Sequence, residues 1–359
     1  MSKPEAENRL LLGIDLGTAR TAVVSNRGAR HLVDSVVGYP RDIIALKTLG
    51  ESQVFGARAL EHKSALTLYH PLSNGTIAQD RRQDYNAAGE LLRHVIALAL
   101  AAETDVDHRP ARVSGVIAVP ATLEAGGRQT LTTIAGELLS AFLLVDQPLP
   151  VAYHLERLDN SLLIDIGAGG ITICPCRGRV PATNERVILP HGGDHLDQQL
   201  QSLINQRYPE VRMTRELARR IKEEHAYVGS PPAPVVVTLR AAGKPRQYDL
   251  SEELGLVCQR LVPEITERLT ALLREFDPED LDEVLQNIFL TGGGAHIQGL
   301  PQALAQALAD YGQVRVSALA EPEYAGALGA LRLAAELPPE RWHDADFTVN
   351  HEIQLAGDK

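Results

Sequence analysis

Leu10-Leu11-Leu12-Gly13-Ile14-Asp15-Leu16-Gly17-Thr18-Ala19-Arg20-Thr21-Ala22-Val23-Val24 is the stretch from which the fold follows, because its pattern returns at 162–174. Each copy reads as an apolar strand, a glycine turn entered through an aspartate, and a second apolar strand. The first turn is Asp15-Leu16-Gly17-Thr18, and the second is Asp165-Ile166-Gly167-Ala168-Gly169-Gly170. Short apolar runs on either side of a glycine bend are the mark of a β-hairpin. Two of them in corresponding places predict a duplicated α/β domain with a cleft between its halves.

The rest of the chain fits that alternation. Residues 113–119 are a nearly continuous apolar run before Pro120, as a buried central strand requires. The pattern then predicts a helix over 122–142, a short strand at 143–145 and helices over 151–158, 196–208 and 214–227. Residues 235–239 and 246–250 form a hairpin about Gly243. One long helix follows, with Leu254, Val257, Cys258, Leu261, Val262, Ile265, Leu269 and Leu272 on a single stripe. A strand at 287–291 runs into Gly292-Gly293-Gly294-Ala295, and a helix over 300–311 follows. Residues 230–234 read as a proline-rich connector, and the tail after Trp342 as polar and loose.

At roughly 150 residues per domain, 359 residues suggest about two domains. The 35 Lys and Arg against 46 Asp and Glu leave a net charge of -11, which repels a phosphate backbone, and only 4% aromatics are present for stacking bases. Nucleic-acid binding is therefore disfavoured. Three cysteines, two of them flanking Pro175, make neither a disulfide set nor a zinc site, so they read as reduced thiols of a cytosolic protein. The richest apolar stretch, 91–102, is interrupted by Arg93 and His94 and reads as a buried helix face. No signal segment or membrane span is expected.

The glycine turns carry the chemistry. There is no G-x-x-x-x-G-K-[ST] sequence, and Gly167-Ala168-Gly169 fails as a dinucleotide fingerprint because Thr172 stands at the third glycine position and strand follows instead of helix. Two hairpin turns can instead present backbone N–H groups to phosphates. Asp15 and Asp165 suit Mg²⁺, a cation that prefers oxygen ligands, or else they serve only to stabilise their turns. Gly192-Gly193-Asp194 stands before a helix and offers an N-terminus to an anion, with Asp194 as the cap. Gly292 to Ala295 admits a flat ring or a phosphate close to the backbone, or is a plain strand-to-helix turn. His191 and His195 stand four apart, but the glycines between them and the lack of a third ligand weigh against zinc.

In this order the four turns resemble the actin, Hsp70 and sugar-kinase ATPase superfamily. Within it the chain is similar to the bacterial actins, most of all to the magnetosome actins, with the rod-shape actin MreB more distant. The similarity spans about 9–342, and Ser35-Val36-Val37-Gly38-Tyr39-Pro40, Arg240-Ala241-Ala242-Gly243-Lys244-Pro245, Val284-Leu285-Gln286-Asn287-Ile288 and Glu336-Leu337-Pro338-Pro339 carry it without evident chemistry. The resemblance implies a duplicated, ribonuclease-H-like two-lobed fold of class α/β with ATP and Mg²⁺ in the cleft. One lobe would be 1–155 with about 325–345, its small subdomain at 31–75. The other would be 156–324, its small subdomain at 227–255, with a flexible tail at 346–359. Asp15, Gly17, Thr18 and Ala19 would meet the phosphates from the first lobe, and Gly167, Ala168, Gly169 and Gly170 from the second. Gly193 and Asp194 would join them. Lys222 and Glu223 would face the nucleoside, and Gly292, Gly293, Gly294 and Ala295 the adenine.

The resemblance also implies ATP hydrolysis, a homopolymer filament and a role in positioning magnetosomes in the cytoplasm. A second bacterial actin and a magnetosome adaptor are the further partners, and direct membrane insertion is not expected. Two departures bear on catalysis, in which Gln147 and Asp165 are the candidate residues. Gln147 stands where the magnetosome actins carry a glutamate to activate water, so hydrolysis should be retained but slow. Gly170-Ile171-Thr172 replaces two threonines and an acid, which should loosen the second turn. The alternative is a nucleotide-binding scaffold that co-assembles with another actin and hydrolyses little. A sugar-kinase-type activity lacks a substrate pocket or catalytic aspartate in this sequence.

Overall fold

The computed structural model describes residues 9–77, 82–101, 112–231, 233–338 and Trp342. The chain divides into two compact units, one of Met1–Arg157 with Glu323–Lys359 and one of Leu158–Pro322. The polar tail at 346–359 lies outside the described residues.

In the first unit, β1 (Arg9–Leu16), β2 (Arg20–Ser25) and β3 (Arg30–Asp34) form an antiparallel meander. β4 (Val37–Pro40), β5 (Val54–Phe55) and β6 (Leu66–Tyr69) make a separate small sheet. β7 (Arg112–Val119) and β8 (Ala141–Asp146) then join the main sheet in parallel, giving the order β3-β2-β1-β7-β8. Period-two alternation sorts β1 onto two faces. Leu10, Leu12, Ile14 and Leu16 pack into a core with Leu91, Leu92 and Val95 of the helix Arg82–Ala101 and Leu131 of the helix Ala125–Leu138. Gly13 and Asp15 look the other way, where Gly13 lets the helix Pro322–Glu336 approach: a Cβ there would lie 2.0 Å from the Ala327 carbonyl oxygen.

The second unit repeats this order. β9 (Ser161–Ile166), β10 (Ile171–Cys176) and β11 (Val187–Leu189) form the meander. β12 (Val236–Ala241) and β13 (Lys244–Asp249) are a separate hairpin, as the sequence predicts. β14 (Ile288–Thr291) and β15 (Val316–Ala318) complete a sheet in the order β11-β10-β9-β14-β15. The internal echo thus extends from the two hairpins to both whole sheets. Cys174, Cys176 and Cys258 are free and buried, and among the described residues no helix is long and apolar enough to cross a membrane.

Several element boundaries differ from the sequence reading, and three of these differences have a clear outline. The helix expected over 122–142 is Ala125–Leu138, because Leu139 turns extended and the Ser140 N–H donates to the Val113 carbonyl at 2.8 Å, opening β8 early. The single long helix is two, Ser251–Gln259 and Leu261–Leu273. Pro263 explains the break, since it has no N–H to offer Gln259 and its ring crowds that carbonyl. The helix expected over 300–311 ends at Ala307, with a 3₁₀ turn at Ala309–Tyr311 after it.

Candidate functional site

Each unit carries its turn at the same place in its sheet. Leu16 pairs with Thr21 and Asp15 with Ala22 in the first hairpin; Ile166 pairs with Ile171 and Asp165 with Thr172 in the second. Across the sheet, Asp15 stands beside Ala118 of β7 and Asp165 beside Thr291 of β14. The turns close with equivalent bonds: the Gly17 N–H donates to the Arg20 carbonyl at 3.1 Å, and the Gly167 N–H to the Gly170 carbonyl at 2.9 Å.

In the first turn, a Cβ on Gly17 would come within 2.6 Å of the Arg20 carbonyl, so the bend requires glycine. Its carbonyls are tied from the segment after β3. The Ser35 hydroxyl donates to the Gly17 carbonyl at 2.6 Å, the Ser35 N–H donates to the Ala19 carbonyl at 2.9 Å, and Thr21 shares a 2.9 Å hydrogen bond with the Ser35 hydroxyl. Among the described residues, the N–H groups of Thr18 and Ala19 donate to no protein acceptor. A turn that leaves successive N–H groups without a protein acceptor is an anion cradle. Ser35 is a residue whose role sequence reasoning missed.

Asp15 and Gln147 meet beside this turn. The Gln147 N–H donates to the Val119 carbonyl at 2.8 Å, extending β8 by one residue, and its side-chain amide donates to the Asp15 carboxylate. Gly326 crosses the same carboxylate so closely that a Cβ would lie 2.1 Å from Oδ2. Burial pushes the Asp15 carboxyl up to about 6, against the downward pull of the Gln147 hydrogen bond. Asp146, one residue earlier, points to the opposite face and is buried in an ion pair with Arg128. A glycine inside a helix, as Gly326 is, is the one signal in the sequence that marks this approach.

The second turn is held differently. The N–H groups of Gly193 and Asp194 donate to the carbonyls of Gly167 and Ala168, both at 2.9 Å. The helix N-terminus read from the sequence as an anion site therefore spends these two donors on the turn. Gly192, not Asp194, is the N-cap of the helix Gly193–Arg207, and the Asp194 carboxylate lies 3.1 Å from Arg215. The N–H groups of Ala168 and Gly169 have no protein acceptor among the described residues. Gly170 does not loosen this turn: a Cβ there would lie 2.8 Å from the Leu189 carbonyl, so glycine is what lets β11 close on it.

The remaining predicted residues fall in two groups. The Lys222 ammonium donates to the Gly193 carbonyl at 3.0 Å and lies 2.6 Å from Asp197. Glu223 pairs with Arg219 at 3.1 Å on the helix Arg215–His225. Gly292 takes φ 72°, and a Cβ there would lie 2.4 Å from the Asp165 carboxylate; one on Gly294 would lie 2.2 Å from the Ile166 side chain. Those two glycines let the strand-to-helix turn fold over the end of β9. Gly293 faces open space, with nothing within 4 Å of a Cβ, and Ala295 is buried.

Asp15 and Asp165, each one residue before the end of its strand, each offer oxygen ligands of the kind that Mg²⁺, a hard cation, prefers. His191 hydrogen-bonds Glu264 at 2.7 Å and lies against His195 with the rings tilted by 31° and their centroids 4.4 Å apart, and among the described residues no group of three or more metal-ligating side chains occurs.

Comparison with known proteins follows the same lines. A model of the family described as "MreB/Mbl protein" matches residues 9–339. The actin-like protein MamK of Paramagnetospirillum magneticum is 40% identical over 338 residues, covering 94% of this chain and 96% of that protein. Among solved structures, a MamK double-helical filament superposes with a TM-score of 0.86 at 40% identity, over 92% of this chain and 100% of that one. A non-polymerising MamK mutant bound to AMPPNP superposes with a TM-score of 0.71 at 40% identity, over 92% of this chain and 99% of that one.

Proposed function

The chain belongs to the MreB/Mbl family and has an actin-like fold, and from that premise we propose that it is a filament-forming ATPase that polymerises with ATP and hydrolyses it slowly. The observation that carries the reading is the pair of equivalent turns, each following an aspartate, and each with two successive N–H groups that donate to no protein acceptor among the described residues. Thr18 and Ala19 in one unit, and Ala168 and Gly169 in the other, donate to the phosphates. Gly293 borders the adenine. By the resemblance, Asp15 and Asp165 would be the residues to hold Mg²⁺, which would supply positive charge against the phosphates.

Gln147 orients the attacking water in this reading. Its amide N–H is engaged by Asp15, which leaves the amide oxygen to accept a hydrogen bond from that water. An amide cannot take the proton as a carboxylate would, so the reaction is retained at a reduced rate. Gln147→Ala should lower phosphate release several-fold further; release equal to or faster than that of the unaltered protein removes Gln147 from the mechanism.

Filament formation follows from the likeness to MamK, which has been solved as a double-helical filament. A head-to-tail contact that does not close on itself builds such a polymer. By the resemblance to the magnetosome actins, the filament positions magnetosomes through an adaptor protein and accommodates a second bacterial actin. The deciding experiment is phosphate release and pelleting of one purified sample with ATP and Mg²⁺ against no nucleotide. Polymer with phosphate release is the expected result. Polymer without release reassigns the protein as a nucleotide-bound scaffold, and a soluble protein in both tubes overturns self-assembly.

A further inference from the structure

Lys222 connects the second turn to a residue with no place in the reading so far. The helix Gly193–Arg207 carries Asp197 one turn after its start, and the helix Arg215–His225 carries Lys222 towards its end. The Lys222 ammonium lies 2.6 Å from Asp197, whose side chain is 2% exposed, and donates to the Gly193 carbonyl at 3.0 Å. The fit is close, since a Cβ on Gly193 would stand 3.0 Å from that ammonium. Burying a carboxylate is costly even when it is paired, and burial does raise the Asp197 carboxyl against the opposing pull of Lys222. Arg219 and Asp194 are the other charged groups that act on it.

The same residue whose carbonyl Lys222 grips uses its N–H to hold the Gly167 carbonyl, and the next N–H holds Ala168. Asp197, Lys222, Gly193 and Gly167 therefore form one chain of contacts from the helix pair to the hairpin. We propose that Asp197 is a positioning residue for nucleotide phosphate: by anchoring Lys222 against the Gly193 carbonyl, it fixes the N-terminus of the helix Gly193–Arg207 and, through it, the Gly167–Gly170 turn. Its consequence for ATP rests on the functional reading above, whereas the lock itself does not.

The test is Asp197→Asn, which removes the charge at nearly constant volume. In nucleotide-free protein, amide hydrogen exchange at Gly193, Asp194 and residues 167–170 should become at least tenfold faster, while β12 and β13 of the same unit keep their protection. Unchanged exchange at Gly193 and Asp194, or acceleration spread over the whole unit, overturns the lock. The dissociation constant for ATP should rise about tenfold, with adenosine competing as well as it does for the unaltered protein. An equal loss for adenosine overturns the phosphate assignment in favour of a direct nucleoside contact by Lys222. If Asp197→Asn does not fold, the double variant Asp197→Leu with Lys222→Met leaves no single buried charge and carries the same measurements with the same expectations. Unaltered protein that fails to bind ATP overturns the functional reading, and the exchange result still decides the lock.

Discussion

The two hairpins share a register, an aspartate and a closing hydrogen bond, yet one turn is held by a single residue, Ser35, through its hydroxyl and its N–H, and the other by a helix N-terminus. Behind Gly17–Arg20 stands Ser35, whose hydroxyl reaches the Gly17 carbonyl at 2.6 Å. Behind Gly167–Gly170 stands the first turn of the helix Gly193–Arg207, main chain against main chain. A hydroxyl contact can be lost for about 1–2 kcal/mol. A backbone contact with no room for a methyl group cannot be lost without moving the turn. The second turn, which has fewer side-chain hydroxyls, is thus the more rigidly supported of the two.

The substitution with the largest expected effect tests this directly. A Cβ on Gly192 would lie 2.4 Å from the Gly170 nitrogen and 2.6 Å from the carbonyls of both Ala168 and Gly167. Gly192→Ala should therefore cost about 3 kcal/mol or more in a denaturant titration and abolish ATP binding. Tolerance of this alanine would break the comparison at its strongest point.

The aspartate of the first hairpin gives an effect of similar size and opposite sign. The Asp15 carboxyl is raised from 3.8 to about 6 in the folded protein. The unfolded chain therefore loses this proton first as pH rises, so the stability the group contributes is full below about 4 and is lost on passing through about 6. Asp15→Asn keeps an acceptor for Gln147 and has no charge to bury. It should stabilise the nucleotide-free protein by about 1–3 kcal/mol at pH 7.5, with no gain at pH 4, while phosphate release falls to background. Thermal melts at the two pH values check the sign, and an equal shift at both removes the titration from the account.

Ser35→Ala ranks below both. It removes the hydroxyl from the Gly17 carbonyl and from Thr21, and should cost about 1–2 kcal/mol and weaken ATP binding only several-fold. A loss as large as that of Gly192→Ala would make the two turns equivalent after all.

Much of this was legible in the sequence, and the gaps have a common cause. The repeated Asp-x-Gly pattern predicts both hairpins because periodicity and turn residues are local, whereas the third strands β3 and β11 are not legible in it. The helix over 122–142 overran because its boundary is set by Ser140 pairing with Val113, a contact the local pattern does not contain. The stretch 35–40 was read as kinship without chemistry, yet Ser35 grips a turn 18 positions away. Asp197 and Lys222, 25 residues apart, fall in two separately predicted helices and become a pair only when those helices pack. Gly192, Gly193 and Asp194 were legible as a helix start, but not that the helix bonds a hairpin instead of an anion.

The smallest effect on stability is expected at Gly293, and it separates packing from ligand binding within one turn. Its neighbours Gly292 and Gly294 are glycine because the end of β9 leaves no room for a side chain. No such contact exists at Gly293, whose backbone is not in the left-handed region. Gly293→Ala should therefore leave the fold intact and raise stability by about 0.5 kcal/mol through the unfolded chain. If adenine lies against this position, the added methyl should still weaken ATP binding by an order of magnitude. A melting curve without nucleotide and a titration with ATP read the two effects separately. Stabilisation with unchanged affinity would move the base away from Gly293 and leave Gly292 and Gly294 alone with a reason, a structural one, to be glycine.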